Sequence, residues 1–185
     1  DVFLTVGDAN EAYYRRYGAI DTKFVRAFFP IDVKLFDEAI PSREATRAKV
    51  CERHGIPPSH MVVLTVGKLI EKKRQIDLVH AASRMRSEGV GVTMLLAGTG
   101  DQEQAVSKYV QDAGVSDVVF LGFVEPERLV DYYLAADVYV HCSSVEPHSL
   151  AISEAIYSGL PIVLSDRCGS YGPSDDVRPG LNGFV

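Results

Sequence analysis

The sequence predicts an α/β protein built on a Rossmann-like parallel sheet with helices on both faces. Two observations predict it. From Met61 onward, short β-branched runs alternate with longer stretches of helical periodicity, the pattern of right-handed crossovers joining parallel strands. The strand segments also read as nearly continuous apolar runs, MVVLTV and VTMLLA, as strands covered on both faces do.

The elements follow in order. Asp1–Val6 reads as a strand, Asn10–Tyr17 as a helix and Phe24–Phe29 as an extended run before Pro30. Ser42–His54 reads as a helix that Gly55 and Pro57 stop. Then come strands at Met61–Val66, Val92–Ala97, Val118–Leu121, Val138–His141 and Ile162–Ser165. Between them, Gln75–Glu88, Gln102–Ala113, Pro126–Ala136 and Ser149–Ser158 carry apolar residues at helical spacing. In the first of these, Ile76, Val79, His80, Ala82 and Ser83 fall close to one face. No internal repeat or low-complexity segment interrupts the pattern.

Composition narrows the function classes. The 185 residues are 46% hydrophobic and 24% charged, ordinary for one core with a small appendage. A net charge of -6 argues against a general nucleic-acid or anionic-membrane binder. Cys51, Cys142 and Cys168 are widely spaced, without a C-x-x-C pair. They form neither a disulfide framework nor a zinc signature and suit a cytoplasmic protein. No apolar run reaches the ~18 residues of a membrane span, and nothing resembles a signal peptide. The sequence opens at Asp1 on a strand-like run without a methionine, which reads as a chain cut from a longer one.

In an open parallel sheet, ligands bind beyond the carboxyl ends of the strands, near the switch in strand order. Those ends are Gly67-Lys68, Gly98-Thr99-Gly100, Gly122-Phe123, Ser143 to Ser149, and Ser165-Asp166. Glycine there allows close approach of backbone to a ligand, although βα turns favour glycine for their own sake. Together the five ends read as a binding crevice. Lys68, Lys72, Lys73 and Arg74 put four cations within seven residues at the first of them, which suits a phosphate-bearing ligand. A solvated helix start accounts for Lys72 and Arg74, and less readily for Lys68 and Lys73.

The segment SSVEPHSLAISEAIYSGLP carries the strongest signal. Glu146 falls in a loop and Glu154 in the second turn of the next helix, beside Ile152, Ala155 and Ile156. A carboxylate so close to the buried stripe needs donors, and the two hydroxyls of a ribose would serve. The alternative is an exposed helix residue. The helix start near Ser149 offers unpaired amides and a partial positive charge to a diphosphate. His141, Glu146 and His148 match no familiar metal spacing, so no metal is expected. His141 reads as a strand-end cap, and His54 sits at a helix C-terminus, where a cation is favoured.

These residues resemble the retaining glycosyltransferases of family 4, with the GT-B fold, in order along the whole chain. V-G-K-L-I-E-K-K resembles the family's G-R-L-x-x-x-K-G, with Lys68 at the arginine position and Lys73 at the lysine position. L-L-A-G-T-G resembles the strand ending in G-x-G, and V-V-F-L-G-F-V the base-reading strand and loop. E-P-H-S-L-A-I-S-E-A reproduces the E-x7-E spacing, and S-G-L-P-I-V-L-S-D and G-L-N-G-F-V follow.

The resemblance implies a nucleotide-diphosphate sugar donor, transfer with retention and no cofactor or metal. By that analogy Lys68, Lys73 and Glu146 are the catalytic residues, the two lysines stabilising the leaving diphosphate. Glu154 binds the ribose. Glu146 and the backbone of His148, Ser149 and Leu150 contact sugar and phosphate. Gly67, Gly98 and Gly100 line the donor site, and the Gly122, Phe123 and Val124 loop lies against the base. Residues 1–35 resemble the remnant of an acceptor-binding N-terminal domain and its linker. Residues 36–185 resemble the C-terminal donor-binding domain, truncated at its end, so the acceptor is expected to bind through the missing domain and the fragment alone to be inactive.

Three departures stand out. Glu146-Pro147-His148-Ser149 replaces Glu-Gly-Phe-Gly, Lys68 replaces a bidentate arginine with a point charge, and Arg74 replaces a glycine. The first leaves open a nucleotide-binding module without catalysis. A dinucleotide oxidoreductase fares badly, because Asp101, Gln102 and Glu103 follow Gly98-Thr99-Gly100 in place of the rest of G-x-G-x-x-G. Asp101 reads instead as a helix N-cap.

Overall fold

The computed structural model describes residues 2–20 and 23–185. It opens with a small parallel pair, β1 (Val2–Thr5) and β2 (Lys23–Arg26), joined through helix α1 (Asp8–Arg16). Asp8 and Glu11 stand in the first turn of α1 and Arg15 and Arg16 in the last, the charge order the helix dipole favours. Helix α2 (Val33–Ala39), a 3-10 turn at Ile40–Ser42 and helix α3 (Arg43–His54) lead into the main sheet.

That sheet comprises β3 (Met61–Val66), β4 (Val92–Ala97), β5 (Val118–Gly122), β6 (Val138–His141), β7 (Ile162–Leu164) and β8 (Gly183–Phe184). All pairings are parallel, in the order β5-β4-β3-β6-β7-β8. The crossovers are α4 (Gln75–Ser87), α5 (Glu103–Asp112), α6 (Pro126–Ala135) and α7 (Leu150–Tyr157). Alternation along the strands splits the core in two. Val62, Leu64 and Leu95 pack with Phe36, Val50, Tyr133 and Ile152, from α2, α3, α6 and α7. Val63, Met94 and Leu96 pack with Leu78, Val79 and Val106, from α4 and α5. The predicted Rossmann-like sheet, covered on both faces, is the observed one.

Arg43 and Arg47 fasten α3 to the end of α6: Arg43 donates to the Leu134 carbonyl at 3.3 Å, and Arg47 to the Ala135 carbonyl. Cations at unpaired terminal carbonyls are the expected complement to a helix end.

Several elements differ from the sequence reading. Helix α2 was not foreseen, because its seven residues are too short to show periodicity. Strand β8 is two residues long and exists only through its pairing with β7. The extended run stops at Arg26, where its partner β1 ends. Asp1 lies outside the described residues. His54 does not behave as a favoured cation: burial against Tyr132, and then the charge of Arg53, lower its pKa. Asp101 does not cap α5, whose N-cap is Gln102, without a side-chain bond.

Candidate functional site

The chain runs from β3 outward to β4 and β5, then returns to β6 on the other side of β3. Strand order therefore reverses between β3 and β6, and a crevice opens beyond their carboxyl ends. Two segments meet across it, the 3-10 turn Glu71–Lys73 and the loop after β6. The Ser144 amide donates to the Lys72 carbonyl at 2.8 Å. Lys73 Nζ donates to Glu146 Oε2, and the two side chains are only 16% and 11% exposed. These are the residues the sequence singled out in two separate motifs.

Behind the pair lies a polar chain. His141 Nε2 is 3.5 Å from Glu146 Oε2 and 3.0 Å from Ser143 Oγ, while Nδ1 is 3.2 Å from the Tyr139 hydroxyl. That hydroxyl donates to the Val66 carbonyl at 3.3 Å. Burial, followed by the charge of Lys73, lowers the His141 pKa to about 4 against the opposing pull of Glu146. His141 is thus a neutral interior link between β3 and the Glu146 loop. It stands at the end of β6, where the sequence placed it, and its ring joins this network.

Lys68 is exposed at the mouth of the crevice, on a turn held by Gln75, whose Nε2 donates to the Lys68 carbonyl at 2.9 Å. A cavity of ≈ 360 Å³ beside it is lined by Gly67, Lys68, Gly98, Phe123, Val124 and Leu129 among others. Phe123 presents its ring to solvent, 71% exposed. Gly98 and Gly100 have a packing reason of their own. A Cβ on Gly98 would stand 2.0 Å from the Gly67 carbonyl oxygen, and one on Gly100 2.1 Å from that of Leu69. Their lack of side chains lets two βα turns pack together, so of the two explanations open in the sequence the structure supplies the one from turn packing. Arg74 adopts φ 57°, in the left-handed region, and is held by a 2.8 Å ion pair to Asp77. It is the exposed start of α4, as the sequence reading favoured, at a left-handed junction with the 3-10 turn.

The start of α7 closes the far side. His148 and Ser149 are buried, and the Ser149 amide already donates to Ser170 Oγ at 3.1 Å. Of the three backbone positions expected to face a ligand, Leu150 alone belongs to an exposed residue, at the unpaired amides that begin a helix. Glu154 is partly buried, and Tyr133 O–H donates to its Oε2 at 2.8 Å. Burial raises the Glu154 pKa, while the Tyr133 bond pulls it down. The carboxylate is therefore not a freely exposed helix residue.

Sequence reading did not find Gln75, Tyr133 or Ser170. A tyrosine within the apolar stripe of α6 looks like packing until the chain brings it against Glu154. The three cysteines are free. Burial pushes Cys142 up to about 12 and Cys168 up to about 11, which leaves neither as a thiolate nucleophile at neutral pH. Of the three residues weighed as metal ligands, Glu146 engages Lys73. His148 faces Asp175 and Asp176 instead.

A parallel sheet whose strand order reverses between β3 and β6, with helices on both faces, is an α/β architecture of the kind that forms one half of a GT-B fold. The chain belongs to the glycosyl transferases group 1, whose family profile matches residues 47–185. It is 35% identical over 130 residues to the lipopolysaccharide core biosynthesis glycosyltransferase LpsE of Rhizobium meliloti, covering 70% of this chain and 36% of that protein. It is 33% identical over 151 residues to the D-inositol 3-phosphate glycosyltransferase of Nocardia farcinica, covering 77% of this chain and 32% of that one. The chain thus spans well under two thirds of the length of these relatives. Among solved structures, Anabaena HepE in complex with UDP superposes with a TM-score of 0.76 at 24% identity, over 98% of this chain and 48% of that one. Sucrose-phosphate synthase from Thermosynechococcus elongatus superposes at 0.71 and 26% identity, over 91% and 41%. Among the described residues, no helix is long and apolar enough to cross a membrane.

Proposed function

We propose that residues 36–185 bind the nucleotide-diphosphate sugar of a retaining glycosyl transfer. Residues 1–35 then belong to an acceptor-binding domain and its linker. The observation that carries this reading is the Lys73–Glu146 contact across the switch point, which joins the cation-rich turn after β3 to the loop before α7. In this reading the diphosphate lies between Lys68, Lys73 and the first amides of α7, where cations and helix dipole act together. The ribose diol bonds to Glu154, held in place by Tyr133. The base stacks in the cavity beside Phe123 and Val124. Glu146 reaches the sugar once Lys73 turns to phosphate.

Transfer breaks the bond between the anomeric carbon and the diphosphate oxygen and forms one to an acceptor hydroxyl, whose proton passes to the departing diphosphate. Negative charge grows on the diphosphate as this happens, and lysines brought beside it stabilise it more than they stabilise the ground state. The charge is met by side chains and amides, so this step calls for no metal. Family membership and a UDP complex of the similarly folded HepE support the choice of donor.

Amide chemical-shift mapping tests the reading. A nucleoside diphosphate should perturb Gly67, Lys73, Phe123 and Leu150 together. Perturbation confined to other parts of the surface would remove the crevice as its site.

A further inference from the structure

Behind the Glu146 loop lies a second cluster that the donor reading does not use. His148 turns inward, its side chain 2% exposed, and neither ring nitrogen has a hydrogen-bond partner. Its Nε2 is 3.5 Å from Asp175 Oδ1 and 3.5 Å from Asp176 Oδ2, and the three atoms lie within 4.8 Å of one another. Asp175 is fully buried and Asp176 is 11% exposed. Asp175 Oδ1 accepts from the Asp176 amide at 2.8 Å, and Asp176 Oδ2 from Ser153 Oγ at 2.7 Å. Each of these oxygens keeps a second lone pair.

Arg26 approaches Asp8 at 2.5 Å and Asp175 at 3.9 Å, while among the described residues Asp176 has no basic neighbour but His148. A carboxylate this buried gains from a cation beside it. A divalent cation at Nε2 would give that buried nitrogen the partner it lacks.

We propose that His148, Asp175 and Asp176 form a structural site for a zinc-type divalent cation. Zinc bonds of ~2.0–2.2 Å in a tetrahedron place ligand atoms roughly 3.3–3.6 Å apart, which matches the two 3.5 Å separations. Magnesium at ~2.0–2.1 Å in an octahedron requires about 2.9 Å between neighbours and prefers oxygen throughout, and calcium takes ~6–8 oxygens. Three ligands leave the fourth position for water. The cation would join the loop that carries Glu146 to the segment around Asp175. That segment is in turn tied to α1 by the 2.6 Å bond from the Asp8 amide. The site uses none of the side chains assigned to the donor, and the proposal does not depend on the donor reading.

The test is metal binding by this chain after removal of metal with a chelator. Zinc is titrated and retained metal is counted after gel filtration, with melting temperature followed in parallel. Cobalt(II) supplies an absorption signature of four-coordination. The site predicts about one zinc per chain, a higher melting temperature and intense cobalt bands. His148→Phe, which fills the same space against Phe29, and Asp176→Asn should each lower affinity at least ~10-fold. His80→Gln, exposed on α4, should leave zinc binding unchanged. Failure of the chain to retain zinc, or zinc uptake indifferent to both His148→Phe and Asp176→Asn, would overturn the proposal.

Discussion

Lys73 and Glu146 satisfy each other across the crevice, in an ion pair that joins the turn after β3 to the loop after β6. A diphosphate that uses Lys73 must first take it from Glu146. Removing either partner therefore has opposite consequences for an anionic ligand. Lys73→Met should weaken nucleoside diphosphate binding by roughly 10- to 100-fold, the worth of a charge-assisted hydrogen bond. Glu146→Gln should tighten it, since the competitor is gone. Competition binding with a fluorescent nucleotide reads both, and weaker binding in Glu146→Gln would contradict the exchange.

Tyr133 is a positioning residue for Glu154. Losing its hydroxyl in Tyr133→Phe removes a buried donor to a carboxylate, at a cost of about 1–3 kcal/mol in urea unfolding at neutral pH. The loss should shrink in acid, where the protonated carboxyl needs the donor less. A nucleotide affinity that falls for ribonucleotides and not for their 2′-deoxy forms would separate positioning from simple destabilisation.

Glu154 itself should trade stability for binding. Its pKa is raised by burial, so the unfolded chain gives up this proton more readily than the folded one. Its contribution to stability is full below the unfolded carboxyl value of about 4.3 and is lost as pH rises through the folded value. Glu154→Gln should therefore melt higher than the parent at pH 7–8, with the gain vanishing below about pH 4. Nucleotide binding should fall in the same variant. A melting temperature below the parent's at neutral pH would show that the carboxylate stabilises the fold.

The fold was legible from Met61 onward because parallel strands covered on both faces announce themselves by long apolar runs, and the crossovers by period. Lys73, Glu146 and Glu154 were legible as candidates because their spacing relative to strand ends placed them on one edge. Their relationships were not. That Lys73 bonds Glu146, that Tyr133 steadies Glu154 and that Ser170 consumes the Ser149 amide all depend on contacts between distant segments. Local pattern carries no trace of these. Helix α2 and strand β8 escaped for the same reason, being fixed by packing and pairing more than by their own sequence.

His141 predicts a pH dependence of opposite sign to that of Glu154. Its pKa, lowered to about 4 mainly by burial, lies below the usual 6.5 of an unfolded histidine. Its contribution is present above about pH 6.5 and lost as pH falls toward 4. The stake is on the order of 3 kcal/mol. Urea midpoints of the parent should decline across that window, and those of His141→Gln should decline less. Parallel curves would mean that His141 binds its proton equally in the folded and the unfolded chain.

The central claim, that the switch-point crevice holds a nucleoside diphosphate, is tested most directly by calorimetry of this chain with UDP, GDP, ADP and NAD. The titrations are repeated on Glu154→Ala and Lys73→Ala. The account predicts that one nucleoside diphosphate binds and that both variants lose it, by at least ~10-fold. Binding of NAD that ignores Glu154, or of a nucleoside diphosphate that ignores both residues, would contradict it.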